Sequence, residues 1–148
     1  MLWLLRHGEA VDGRPDEARP LTARGLRDAQ AAGVSLSRLG VKLDACLASP
    51  KRRTLQTAQL ACASLGVEVT IEPALAGTEY DAERLAIGLG EVLLVAHNPA
   101  ISAAVRTLSG ARVHMRPGGL AGIERGELVV LMTPSELSAI ANDATVPA

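Results

Sequence analysis

Glu91-Val92-Leu93-Leu94-Val95-Ala96-His97-Asn98-Pro99 is the stretch on which the fold turns. Val92–Ala96 is an unbroken apolar run with no polar residue to face water. Such a run reads as a strand buried on both faces, the kind found in parallel sheets covered by helices. The polar residues that follow break it abruptly. Asn98 then Pro99 is a cap-then-proline pair, which predicts a helix from there to about Leu108. Strand, polar cluster, helix is the unit of an open α/β sheet.

The same unit recurs on both sides of this stretch. Leu2–Leu5 predicts a short buried strand that runs into Arg6-His7-Gly8-Glu9, and Asp12–Pro20 reads as a polar loop. Thr22 caps a predicted helix with Leu26, Ala29, Gly33 and Leu36 along it, ending near Leu39 at Gly40. Leu43–Ala48 predicts a second strand. Ser49-Pro50 repeats the cap-then-proline start of a helix to about Leu65, and Gly66 stops it. Val67–Ile71 alternates and reads as a strand. Pro73–Thr78 is loop, and Asp81–Leu89 predicts a helix closed by Gly90. Past Leu108, residues Ser109–Gly119 read as a loop. Leu120–Glu124 and Glu127–Met132 predict a hairpin about Arg125-Gly126, and Thr133-Pro134 opens a last helix to about Ile140. Strands alternating with helices predict an α/β three-layer sandwich. Its central sheet is mostly parallel, with helices on both faces and an antiparallel element at the end.

Size and composition narrow the function classes. The 148 residues suit one domain, 1–148, with no second-domain linker or repeat. Hydrophobic residues make up 48%, but aromatics only 1%, with no Phe. The core is therefore aliphatic, and little aromatic surface is available to stack bases. The formal net charge of -1 provides no global field for nucleic acid or anionic membranes. Cys46 and Cys62 lack metal or redox spacing and read as core-filling thiols. No apolar run approaches the ~20 residues that span a bilayer. Arg6-His7 ends the first apolar run too early for a secretion signal, so a cytoplasmic location is expected.

Polar clusters follow the predicted strands at Arg6–Glu9, at Ser49-Pro50 with Arg53, and at His97–Pro99. In an open α/β sheet, ligands bind beyond the carboxyl ends of the strands. Parallel strands would bring these clusters to one sheet edge. Neutral imidazole, with a pKa of about 6.5, is a competent nucleophile near pH 7. Arginine forks match phosphate oxygens. The set suits phosphoryl transfer by positioning and charge neutralisation, with no metal or other cofactor required.

These residues resemble the histidine phosphatase superfamily. Arg6-His7-Gly8 is similar to its signature. Arg19-Pro20-Leu21-Thr22 with Gly25 resembles its Leu-Thr-x-x-Gly element. Ser49-Pro50 with Arg53, Gln56, Thr57 and Ala58 resembles its Ser-Pro-x-x-Arg-x-x-Gln-Thr-Ala element. Val95–Pro99 resembles its second-histidine element. The matches occur in order from residue 1 to about 105. The compact length and the Arg-Pro-Leu-Thr stretch are most similar to the small SixA-like branch of phosphohistidine phosphatases. Phosphoglycerate mutase relatives are usually longer, with insertions over the substrate.

The resemblance implies a phosphoglycerate mutase-like fold and a role for each matched residue. His7 would attack phosphorus. Arg6 and Arg53 would hold phosphoryl oxygens, and His97 would donate to them. Gly8 would let the backbone pass close to His7 and help fix its ring. Arg19 and Asn98 would add substrate contacts. A carboxylate general acid directly after the second histidine is replaced by Asn98. Glu79, or less favourably Asp81, falls where another branch carries its acid. A departing histidine is a weakly basic imidazole and needs less proton donation than an alkoxide. The expected partner is a phosphohistidine-bearing protein, with a small phosphorylated metabolite as the rival substrate. A non-catalytic phosphate-binding module is a third reading, opposed by the intact set Arg6, His7, Arg53 and His97. Lys51 and Arg52 read as exposed charges that could guide an acidic partner. Arg112 and Arg116 could rim the site, and His114 reads as unrelated to it.

Overall fold

Residues 1–145 are described by the computed structural model. The strands are β1 (Leu2–Arg6), β2 (Ala45–Ala48), β3 (Val69–Ile71), β4 (Val92–Ala96), β5 (Leu120–Glu124) and β6 (Glu127–Met132). The α-helices are α1 (Ala23–Arg38), α2 (Arg52–Ala63), α3 (Ala82–Ala86), α4 (Ala100–Ser109) and α5 (Pro134–Ala141). One sheet holds all six strands in the order β3-β2-β4-β1-β5-β6. Strands β3, β2, β4 and β1 are parallel, while β5 and β6 are antiparallel to their neighbours. This is the mixed α/β sheet flanked by helices that the sequence predicts.

Side chains alternate across each strand, so every central strand feeds both faces. Trp3, Leu5, Cys46, Ala48, Leu93 and Val95 point to one side, where Ala32, Leu36, Ala58, Ala61 and Leu137 of α1, α2 and α5 cover them. Leu4, Leu47, Val92, Leu94 and Ala96 point to the other, against Leu75, Ala82, Ile101, Ala104 and Val105. Cys46 and Cys62 are free thiols buried in the first of these layers. The result is helix, sheet, helix.

Several boundaries differ from the sequence reading. Ser49-Pro50 does not start α2: Lys51 is the N-cap, without a side-chain cap bond, and the helix begins at Arg52. Pro99, not Asn98, caps α4. Ser49 uses its side chain elsewhere, as described below, while Asn98 Oδ1 still accepts the Ser102 N–H in the first turn of α4 at 3.3 Å. The predicted Asp81–Leu89 helix closes early at Ala86, since Gly88 takes the left-handed φ of 77°. Two stretches read as loop contain 3-10 turns, Asp16–Ala18 and Pro73–Ala76. Thr22 and Thr133 cap α1 and α5 as expected, the latter through a capping box with Glu136. Among the described residues, no helix is long and apolar enough to cross a membrane.

Helices α1 and α2 touch at Gly33, where a Cβ would run into the Ala61 backbone carbonyl. A backbone obstacle cannot rotate away. Gly33→Ala should therefore force the helices apart and cost about 1–3 kcal/mol of stability, read by urea unfolding.

Candidate active site

Strand register assembles the site. In the β1–β4 pair, Arg6 lies opposite Ala96; in the β2–β4 pair, Ala48 lies opposite Val95. The residues just beyond these pairs are His7, His97 and Ser49. Backbone bonds carry the ladder past the strand ends, from His7 N–H to the Ala96 carbonyl and from Ser49 N–H to the Val95 carbonyl, each 3.1 Å. The imidazole rings of His7 and His97 lie 5.3 Å apart between centroids, tilted by 52°. Both rings are buried, as is Arg53 on the first turn of α2.

Hydrogen bonds fix the ring tautomers. The Nδ1 of His7 lies 2.7 Å from the Gly8 carbonyl, which can only accept. Nδ1 therefore carries the hydrogen, and Nε2 keeps its lone pair. Gly8 is itself held by its N–H to Thr57 Oγ1 at 3.1 Å. A Cβ on Gly8 would stand 2.8 Å from the Gly25 carbonyl, so only glycine lets this segment cross the start of α1. On the other ring, His97 Nε2 lies 2.7 Å from Ser49 Oγ. That buried hydroxyl accepts the Lys51 N–H at 3.3 Å and has no other acceptor among the described residues for its own O–H, which it therefore gives to His97 Nε2. The hydrogen of neutral His97 is then on Nδ1.

Three nitrogens of this cluster are buried without a hydrogen-bond partner among the described residues: Arg6 Nε, Arg53 Nε and His97 Nδ1. Each carries a hydrogen. Three of the other guanidinium nitrogens are used for aim. Arg6 Nη1 donates to the Met115 carbonyl at 2.8 Å. Arg53 Nη1 and Nη2 donate to the Asp16 carbonyl oxygen and to Asp16 Oδ2, at 2.8 and 3.2 Å. Unmet buried donors cost about 1–3 kcal/mol each, and more when charged. Arg6 and Arg53 act electrostatically on His7, and His7 and Arg53 on His97, so these groups form one basic cluster suited to an anion.

The electrostatics agree. Burial lowers the His7 pKa to about 4, aided by Arg53, Arg6 and Arg19, while its bond to Gly8 opposes the shift. His97 is lowered to about 3, again chiefly by burial, then by His7, Arg53 and Lys51. Arg6 is lowered by burial and by Arg53. Both imidazoles are thus neutral near pH 7, the nucleophilic form for His7.

The other expected residues are placed as follows. Arg19 reaches Asp16 at 3.1 Å and Asp12 at 3.8 Å, close enough to His7 to lower its pKa. The Asn98 amide is occupied: its Nδ2 donates to the Met115 carbonyl at 3.0 Å, and its Oδ1 accepts from Ser102 Oγ at 2.6 Å. Glu79 is exposed and lines a cleft with Tyr80, Asp81 and Ala100. Arg112 and Arg116 are exposed, and their segment serves the site through the Met115 carbonyl instead. Lys51 is not a bystander, since its Nζ pairs with Asp16 at 3.1 Å. The sequence reading missed Asp16 altogether and took Ser49 for a helix cap. Among the described residues, no group of at least three His, Cys, Asp or Glu side chains could hold a metal ion.

An α/β sheet with buried histidines and arginines at the carboxyl ends of its parallel strands defines a class of protein with a basic cluster at the sheet edge. Residues 2–86 match the profile of the histidine phosphatase superfamily (branch 1), and the chain belongs to that family. A curated relative, the mitochondrial serine/threonine-protein phosphatase Pgam5 of Drosophila ananassae, is 43% identical over 58 residues. That match spans 38% of this chain and 20% of the relative. The solved structure of the protein histidine phosphatase SixA complexed with tungstate matches with a TM-score of 0.81 at 23% identity. It covers 92% of this chain and 98% of that one. A putative phosphohistidine phosphatase SixA from Nakamurella multipartitia matches at 0.74 and 27% identity, over 95% and 88% of the two chains. The fold is that of the SixA-like, phosphoglycerate mutase-like structures.

Lowered histidine pKa values have a measurable sign. Unfolded histidine titrates near about 6.5, so protonation favours the unfolded chain. The stability contributed by these rings is complete above that pH and is lost as pH falls toward about 4. Imidazole nitrogen NMR of the folded protein should show His7 and His97 still neutral at about pH 5.5, with Nδ1–H tautomers. Titration of either ring near its unfolded value would contradict this geometry.

Proposed function

We propose that this protein is a phosphatase that works through a phosphohistidine on His7. The carrying observation is the pairing of a neutral His7, its Nε2 lone pair left open by the bond from Nδ1 to Gly8, with unpartnered donors on Arg6, Arg53 and His97. Nε2 attacks phosphorus while these donors take the phosphoryl oxygens. The leaving group departs with the electron pair of the broken bond. Water then attacks the phosphorylated ring and releases phosphate. A loose, in-line transfer asks mainly for positioning and charge neutralisation. The tungstate bound by the solved SixA is a tetrahedral oxyanion, consistent with an anion held in this kind of fold.

His97 does most in the transition state. Its pKa is lowered chiefly by burial and further by His7, Arg53 and Lys51. A phosphoryl dianion offsets the cation part of that shift and accepts the Nδ1–H. Ser49 holds that ring and Gly8 holds the other. The basic cluster of Arg6, Arg19, Lys51 and Arg53 repels divalent metal, and the reaction proceeds without metal or cofactor.

The substrate we assign is a phosphohistidine-bearing protein. Asn98 stands where an acid would follow the second histidine, and its amide is committed to Met115 and Ser102. Glu79 is the candidate acid for ester substrates, and an imidazole leaving group needs none. Arg19 contributes charge at the rim, and Gly8 and Asn98 shape the floor.

His7→Ala should abolish turnover of a phosphohistidine substrate while leaving the unfolding transition near its wild-type position. Excess chelator should leave wild-type rates unchanged. Retained turnover in His7→Ala would refute the nucleophile, and chelator sensitivity would refute a metal-free reaction. Faster turnover of small phosphate esters than of phosphohistidine would favour a metabolite substrate.

A further inference from the structure

Asp16 is in contact with the site, yet the chemistry above gives it no part. It opens the 3-10 turn between β1 and α1. Its Oδ2 accepts from Lys51 Nζ at 3.1 Å and from Arg53 Nη2 at 3.2 Å; its Oδ1 accepts from Arg19 Nη1 at 3.1 Å. A carboxylate is therefore fixed to the same guanidinium that is assigned to the phosphoryl group. It also acts electrostatically on His97. Its side chain is 51% exposed, so an arriving group can reach it. Of about four lone-pair positions on a carboxylate, three are taken, and the open one is on Oδ1.

Three basic neighbours, Lys51 foremost, hold this carboxyl well below the usual carboxylate range. It is a poor proton donor for a departing alkoxide. Being anionic, it repels phosphoryl oxygens and cannot be a ligand for them. An anion beside a phosphoryl site does favour a leaving group that carries positive charge or an N–H.

We infer that Asp16 sets leaving-group specificity, by accepting the free ring N–H of a protonated N-phosphoryl imidazole. The inference rests on His7 being the nucleophile. In the transfer, a bond forms between His7 Nε2 and phosphorus. The P–N bond of the substrate breaks, and its electron pair stays on the leaving nitrogen. The ring departs as neutral imidazole with its other nitrogen still protonated, so no proton changes hands. An ester oxygen would instead leave with growing negative charge, which Asp16 opposes. One residue thus favours one substrate class and disfavours the other.

The test compares kcat/KM for phosphoimidazole and for p-nitrophenyl phosphate in the full chain, as wild type, Asp16→Asn and Asp16→Glu. Loosening of Arg53 affects both substrates and cancels in the ratio. The phosphoimidazole-to-ester ratio should fall about ten-fold in Asp16→Asn, the scale of one charge-assisted hydrogen bond. Asp16→Glu should recover much of it. A ratio within about two-fold of wild type in Asp16→Asn, or a higher one, overturns the inference. Wild-type turnover of the ester alone also overturns it, while leaving the His7 phosphatase intact. Turnover of neither substrate would bring down the underlying phosphatase reading instead.

Discussion

Parallel pairing of β1 and β2 with β4 is the constraint on which everything else in this molecule depends. The register sets Arg6 beside Ala96 and Ala48 beside Val95, so His7, His97 and Ser49 leave the sheet together. A slip of one residue would turn every side chain to the opposite face and separate the rings. The register is secured by burial on both faces, since Val92, Leu93, Leu94 and Val95 are all fully enclosed. A core built from aliphatic strands thereby sets the distance between imidazoles.

That edge is costly to build. Arg6, Arg53 and His97 each bury an N–H with no partner among the described residues, and each removes free energy from the folded state. The cost is the preorganisation that an incoming phosphoryl group exploits, because the donors need no rearrangement when charge develops. Backbone carbonyls of Gly8, Met115 and Asp16 do the aiming. They lie on two loops, β1 to α1 and α4 to β5, well separated in sequence, so the site ties the loops down as much as the loops shape the site.

The mostly parallel sheet with its antiparallel end, the two-sided core and the meeting of His7 with His97 were legible in the sequence because they follow from apolar runs that end in polar clusters; the strand order was not. Helix starts were less so. Ser49-Pro50 and Asn98-Pro99 carry the local chemistry of caps, but the Ser49 hydroxyl is paired with His97, and Pro99 takes the cap position of α4. A tertiary bond overrode local propensity at Ser49, whereas Asn98 keeps a bond to the first turn of α4 from one place further out. Asp16 left no signal, since an acidic residue in a polar loop looks like any solvated charge. Its importance arises only when Arg19, Lys51 and Arg53 converge on it. Glu79 was legible as a carboxylate in the right interval, but the structure places it in an exposed cleft.

The account stands most directly on where phosphorus is held between the two chemical steps. Rapid mixing with a phosphorus-labelled phosphohistidine substrate, alkaline quench and peptide mapping would locate it. The account predicts label that is stable to alkali, lost in acid, and carried on His7 through Nε2. Label on His97 or on a carboxylate, or release of phosphate within one turnover with no labelled protein, would contradict it.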